Sequence, residues 1–159
     1  MDDLDLDGLI SRLEEEEGRL RFPSFSNDDA IALGESIASR ARERGLAVTV
    51  DIRRGSQQLY HCALPGTTAD NDQWALRKAR VAERFGHSSL LVGARLRKAG
   101  MGIEEKYFVS PYEYSAHGGA VPVVVAGTGQ VGTATVSGLP QEEDHALVVE
   151  CIEDFLSGR

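Results

Sequence analysis

The sequence predicts an α/β fold of the α+β type, a sandwich in which helices cover an antiparallel β-sheet. Two pairs of short β-rich runs, at residues 46–64 and 120–138, are each joined by a tight turn and therefore predict antiparallel hairpins. Helical patterns precede, separate and follow these hairpins. With 159 residues, of which 42% are hydrophobic, the chain is long enough for one domain with a core.

The N-terminal region is acidic and amphipathic. Residues 1–17 carry eight acidic side chains and one basic one, which accounts for −7 of the net charge of −8. Apolar residues recur at helical spacing over residues 6–17, and the segment RFPSFS ends that helix. We therefore expect an acidic N-terminal helix or arm at residues 1–24 and a single domain at residues 25–159.

The domain begins with a helix and a hairpin. Ser26 and Asp29 have the spacing of a capping box, and Gly45 ends the helix that follows them. The runs LAVTVDI and QQLYHCAL are separated by RRGS, which predicts two strands joined by a turn.

Two further helices follow the turn PGTTADND. The first carries Trp74 and Lys78 on its inner stripe and ends at Gly86, and the second runs from Ser88 to Gly100. A lysine on an inner stripe must extend its ammonium to solvent, pair with a buried carboxylate or contact a ligand. The sequence leaves all three alternatives open.

Residues 101–119 are irregular and rich in glycine and tyrosine. We expect a long loop there, with room for one short strand near KYFV. Loops of this length in compact domains are often functional. The tyrosines suit a pocket wall or a subunit interface equally well (Tyr107, Tyr112 and Tyr114).

The second hairpin contains Gly127, Gly129 and Gly132, the G-x-G-x-x-G spacing of dinucleotide-binding loops. Such a loop must open a helix whose N-terminus faces the phosphates. Here the β-rich run QVGTATVSG follows, so the glycines predict a hairpin turn, with a bulge or close backbone approach at Gly132. The segment LPQEEDH then begins the last helix.

Two histidines flank this second hairpin. His117 precedes its first strand and His145 follows its second, and those two ends of an antiparallel hairpin lie at one edge of the sheet. We expect the pair to converge near one pocket, where an imidazole can ligate haem iron or another metal, or transfer a proton. The alternative is that Asp144 and His145 cap the last helix and bond to loop backbone. The motifs H-E-x-x-H and C-x-x-C are absent, so we assign no metal ligands.

A basic patch occupies residues 77–98, which contain seven basic side chains and one acidic one. It can be a solvated helix face, or it can meet an anion or the acidic arm of a neighbouring subunit. Because the pI of the chain is about 5.0, we expect no nucleic-acid partner. No apolar run predicts a membrane span, and we expect Cys62 and Cys151 to be free thiols in the cytoplasm.

Three blocks in order resemble the haem-degrading-domain family of HbpS-like and GlcG-like proteins, above all its uncharacterised branch: PGTTADNDQWALRKARVAERFGHSS, AHGGAVPVVV and VGTATVSGLPQEEDHALVVECI. The resemblance covers residues 25–157. It implies a profilin-like α/β/α sandwich around a five-stranded antiparallel sheet, and homo-oligomers from dimers to larger rings. Because some relatives bind haem or related tetrapyrroles, it also implies haem as a candidate cofactor.

The leading functional hypothesis is a homo-oligomer that binds a small anionic molecule, with haem as the candidate that the resemblance implies. We expect the ligand site to consist of Trp74, Lys78, Tyr114, His117, Gly118, Gly119, Asp144 and His145. Two alternatives stay open. One is an enzyme that uses His117 or His145 as general acid or base, and the other is a non-catalytic scaffold.

Overall fold

A computed structural model describes residues 3–158 of the chain. Met1 and Asp2, at the start of the predicted arm, and Arg159, at the end of the predicted domain, lie outside the described residues. The elements are α1 (Asp3–Arg19), β1 (Arg21–Phe22), α2 (Asn27–Glu43), β2 (Thr49–Arg54), β3 (Gln57–Ala63), α3 (Ala69–Phe85), α4 (Ser89–Ala99), α5 (Ile103–Tyr107), β4 (Ala120–Val125), β5 (Gly129–Ser137) and α6 (Gln141–Ser157).

The strands form one five-stranded sheet in the order β1-β4-β5-β2-β3. Both predicted hairpins are present, and β2 also pairs antiparallel with β5. The predicted sandwich is confirmed, but the sheet is mixed, because β1 pairs parallel with β4. The sequence signal missed β1 because it has only two residues; Phe22 anchors it, fully buried with its ring 5.1 Å from that of Phe25.

One face of the sheet is apolar and is covered by α2 and α6. Side chains alternate between the two faces of a strand, so every second residue of β2 and β5 enters this core. The fully buried members include Leu33, Ile37, Val50, Val136 and Ile152. This apolar cluster has more buried members than either of the other two clusters in the described part of the chain.

The opposite face of β2 and β5 is polar, although it is equally buried. It consists of Thr49, Asp51, Thr133, Thr135 and Ser137, and α3 packs across these two strands. The Asp51 carboxylate is balanced by Arg53 at 2.7 Å. A buried polar face of this kind favours polar partners on the covering helix, and α3 brings Lys78 to it.

The acidic helix α1 packs against α4 of the same chain. Leu6, Leu9 and Leu13 contact Leu90 and Leu91. Around this contact, Glu14 pairs with Arg95 at 3.2 Å and Asp7 pairs with Lys98. Part of the basic patch therefore meets the acidic helix of its own chain. The division into an arm and a domain stays a prediction.

The prediction of a short strand near KYFV is wrong, because the end of α5 and Phe108, in a left-handed conformation, occupy that segment. The Glu105 side chain accepts a hydrogen bond from the Gly102 N–H at 3.3 Å and so supports the first turn of α5. Ile103 and Val109 are buried in a small cluster with α3 and α4, which holds the segment against the helices rather than at the sheet.

The glycine-rich turn of the second hairpin is confirmed. Gly127 and Gly129 have φ of +78° and +109°, which favours glycine at both positions. The ladder shifts register between Val123 and Val124, and a Cβ on Gly132 would lie 2.3 Å from the Arg53 carbonyl oxygen. The bulge and the close backbone approach predicted for Gly132 are both present.

Within the described part of the chain, no helix combines the length and apolar character needed to cross a bilayer.

Candidate functional site

A buried ion pair lies where α3 and α6 meet at the end of β5. The Lys78 Nζ atom is 2.9 Å from Oδ2 of Asp144; Lys78 is 4% exposed and Asp144 is fully buried. Asp144 also accepts hydrogen bonds from the backbone N–H groups of Gly138 and Leu139, at 3.2 and 2.9 Å. Burial raises the pKa of Asp144, against the lowering effects of Lys78 and these N–H groups. Of the three alternatives for Lys78, the structure shows pairing with a buried carboxylate.

Of the two glycines of the AHGGA segment, Gly119 lies against Lys78 of this pair and Gly118 lies against the first turn of α6. Gly119 has φ of +142°, and a Cβ there would lie 2.3 Å from the Val136 carbonyl oxygen and 3.0 Å from Lys78 Nζ. A Cβ on Gly118 would lie 2.5 Å from the Gln141 carbonyl oxygen. The Gly118 N–H donates to Oε1 of Gln141 at 2.9 Å. Both positions therefore require glycine for the loop to approach α6 and Lys78.

His117 precedes these glycines and lies at the junction of two cavities. The apolar cavity, of about 310 Å³, lies between α3, α4 and the 101–116 segment, and the polar cavity, of about 260 Å³, lies above the Lys78–Asp144 pair. The two share Trp74, His117 and Gln141, and together we call them the cleft. The His117 and Trp74 rings meet edge to face with their centroids 5.6 Å apart.

The environment of His117 favours its neutral form. Partial burial lowers the pKa of the imidazole below its ordinary 6.5, and the positive charges of Lys78, Arg97 and Arg77 lower it further. At neutral pH the ring therefore keeps a nitrogen lone pair. Such an imidazole can ligate a metal centre, accept a proton or accept a hydrogen bond.

His145 does not join His117 at the cleft. Its side chain is buried, its Nε2 lies 2.6 Å from Oε1 of Glu16 on α1, and it is absent from the lining of both cavities. The prediction that the two imidazoles converge is wrong, because consecutive residues of a helix point about 100° apart. Asp144 faces the cleft, so its neighbour faces α1. The alternative interpretation of Asp144, that it bonds to loop backbone, is correct, since its carboxylate accepts hydrogen bonds from the N–H groups of Gly138 and Leu139.

The other predicted ligand residues line the cleft or support it. Trp74 and Tyr114 line the apolar cavity, and Lys78 and Asp144 line the polar cavity. The sequence patterns do not identify the residues that complete the lining, among them Asn71, Arg77, Arg97, Ser137 and Gln141. For Arg77 a signal existed, because a residue three positions after Trp74 lies on the same side of a helix.

The comparisons with known proteins confirm the resemblance noted in the sequence. The family model described as haem degrading protein HbpS-like matches residues 25–153. A UPF0303 protein of Streptomyces avermitilis is 56% identical over 148 residues, which cover 93% of this chain and 91% of that protein. The crystal structure of Ybr137w protein has a TM-score of 0.87 and 34% identity, over 94% of this chain and 88% of that one.

A second solved structure shares the fold at lower identity. The crystal structure of a PduOC:heme complex has a TM-score of 0.69 and 19% identity, and covers 82% of this chain and 94% of that chain. At this identity the likeness shows the fold alone.

We expect Lys78→Met to lower the free energy of unfolding at neutral pH by about 3–5 kcal/mol, because it leaves a buried carboxylate without its cation. Lys98→Met, which removes an exposed partner of Asp7, is the matched control and should cost about 0.5 kcal/mol or less. Urea unfolding followed by circular dichroism measures both.

The loss in free energy of unfolding that Lys78→Met causes should become smaller as the pH falls. The pKa of Asp144 is higher in the folded protein than its ordinary value of 3.8, so folding favours the protonated carboxyl. The contribution of Asp144 to stability is therefore fully present below pH 3.8 and is lost as the pH rises through the folded-state pKa. Removal of Lys78 raises that pKa further. An equal deficit at about pH 7 and about pH 5, or a loss no greater than that of the control, would contradict the assignment.

Proposed function

The chain belongs to the family of HbpS-like haem-degrading proteins, and from that premise we propose that it binds a small anionic organic molecule in the cleft beside His117. The observation that carries this proposal is the position of the His117 imidazole at the junction of the two cavities, among Lys78, Arg77 and Arg97, whose charges lower its pKa. Concave sites with apolar walls and a few converging polar groups are typical of ligand pockets.

Haem is the specific candidate for that ligand. The related PduOC structure is of a haem complex, and a neutral imidazole such as that of His117 is a common axial ligand of haem iron. Arg77 and Arg97 line the same cavity and suit carboxylate groups such as the propionates. When bound, haem would supply an iron centre for oxidative chemistry.

The size of the cleft agrees with a partly exposed ligand. The apolar cavity, of about 310 Å³, is at the lower end of the range of about 300–1,000 Å³ for small-molecule sites. Trp74 and Tyr114 offer aromatic walls to a planar molecule. A macrocycle held there would keep one side in solvent or against a second subunit.

A second candidate function, acid–base catalysis, rests on the same side chain. His117 is neutral at physiological pH and exposed to the cleft, so it can accept a proton from a bound molecule. His145 takes no part in this proposal because Glu16 already contacts its Nε2. Catalysis predicts that a pH–rate profile follows the ionisation of His117.

Self-association is supported by two aromatic side chains in the loop beside the cleft. Phe108 is 91% exposed and Tyr112 is 89% exposed, whereas the third exposed large apolar residue among those described, Ile31, is 41% exposed. Phe108 also has φ of +57°, a backbone conformation that is uncommon for residues other than glycine. We propose that these two side chains are covered by a second copy of the chain. The scaffold alternative would use the same surface without a ligand.

The haem proposal is tested by titration of haem into the purified protein. We expect a Soret shift that saturates at about one haem per chain, and a loss of affinity of about tenfold or more in His117→Ala. His61→Ala, which removes a histidine on β3 outside the cleft lining, is the matched control and should bind as the unmodified protein does. An unchanged shift in His117→Ala would contradict the assigned ligand.

The self-association proposal is tested by light scattering after gel filtration. We expect the unmodified protein to have a mass that is a multiple of 17.2 kDa, and the double variant Phe108→Ser/Tyr112→Ser to approach 17.2 kDa. Ile31→Ser, at the third exposed large apolar residue, is the control and should leave the mass unchanged. A monomeric unmodified protein, or an unchanged mass in the double variant, would contradict the proposal.

A further inference from the structure

Arg77 is arranged to receive a carboxylate at the wall of the cleft. Its guanidinium carbon lies 4.1 Å from the centroid of the Trp74 ring, and its Nε donates to the Gln73 carbonyl oxygen at 3.4 Å. A guanidinium stacked on an aromatic face has its plane held while its terminal N–H groups point outward. Among the side chains that the structure describes, those of residues 5–158, neither terminal nitrogen of Arg77 has a hydrogen-bond acceptor or an acidic partner.

The charged side chains that line the cleft do not balance, and their sum is positive. Three are cationic, Arg77, Lys78 and Arg97, and two are anionic, Glu104 and Asp144, which makes a net charge of +1. The two buried members, Lys78 and Asp144, neutralise each other at 2.9 Å. Glu104 lies in the first turn of α5 and is exposed. The uncompensated positive charge therefore lies with the two arginines beside His117.

The remainder of the apolar cavity suits an apolar group. Its walls include Leu96, Met101, Ile103, Pro111 and Tyr114. Burial of apolar ligand surface against such side chains favours binding. A ligand that satisfies this site must therefore combine an apolar body with one carboxylate.

We propose that the cleft recognises a small monocarboxylic acid with an aromatic body, whose carboxylate binds Arg77 next to His117 and whose ring enters the apolar cavity. The proposal rests on the proposed function, since it names the class of anion that the same cleft takes. It does not depend on iron. A carboxylate bound to Arg77 also places a negative charge near the His117 imidazole, so binding raises the pKa of that ring.

The experiment uses phenylacetate as the probe and phenylacetamide as its uncharged counterpart of nearly the same shape. Isothermal titration should show that phenylacetate binds at least about tenfold more tightly than phenylacetamide, because only the former makes charge-assisted hydrogen bonds. NMR of the imidazole nitrogens should show a higher His117 pKa at saturating phenylacetate than without it.

Three arginine variants locate the carboxylate. Arg77→Gln should weaken phenylacetate binding about tenfold and abolish the ligand-induced change in the His117 pKa. Arg80→Gln is the matched control: it is on the same helix, but Arg80 donates to the Glu113 carbonyl oxygen and is outside the lining of the cleft. Arg77→Lys, which keeps the charge but loses the planar fork, should bind with intermediate affinity. Thermal unfolding of each variant establishes that it is folded.

The outcomes separate this inference from the proposed function. Equal binding of phenylacetate and phenylacetamide, or equal binding by Arg77→Gln and Arg80→Gln, overturns the inference. If phenylacetate does not bind while haem binds through His117, the inference fails and the proposed function stands. If neither molecule binds, both are overturned.

Discussion

The ion pair between Lys78 and Asp144 joins the two helical layers of the molecule and determines where the cleft lies. Desolvation of a buried ammonium and a buried carboxylate is costly, and it is offset only when both are well partnered. Asp144 achieves this by accepting from Lys78 and from two backbone N–H groups. The pair thereby fixes the turn between β5 and α6, and Gly119 lies against Lys78 while Gly118 lies against the first turn of α6.

The first turn of α6 also makes a contact on the side that faces away from the Lys78–Asp144 pair. His145, next to Asp144 in sequence, contacts Glu16 and so connects α6 with α1. The acids of α1 also neutralise Arg95 and Lys98 on the outer side of α4. The predicted basic patch is therefore divided: part of it holds the acidic helix, and Arg77 and Arg97 line the cleft.

Much of the fold could be predicted because it rests on local patterns. Alternating apolar residues and glycine turns identify both hairpins, and caps identify the long helices. The two-residue strand β1 and the short helix α5 have too few residues for a period, so they are visible only through their tertiary contacts. The site was predicted in part. Trp74, Lys78 and His117, which the sequence singled out, line the cleft, whereas the direction of His145 and the position of Arg77 in the cleft depend on which helix face meets which neighbour.

The Lys78–Asp144 pair holds the glycine loop so that the His117 imidazole faces the cleft among cations. NMR of the ring nitrogens over a pH titration of the ligand-free protein measures the pKa of His117 and so tests this arrangement. We expect a pKa below the ordinary value of 6.5, because of partial burial and the charges of Lys78 and the two arginines. A pKa at or above 6.5 would contradict it.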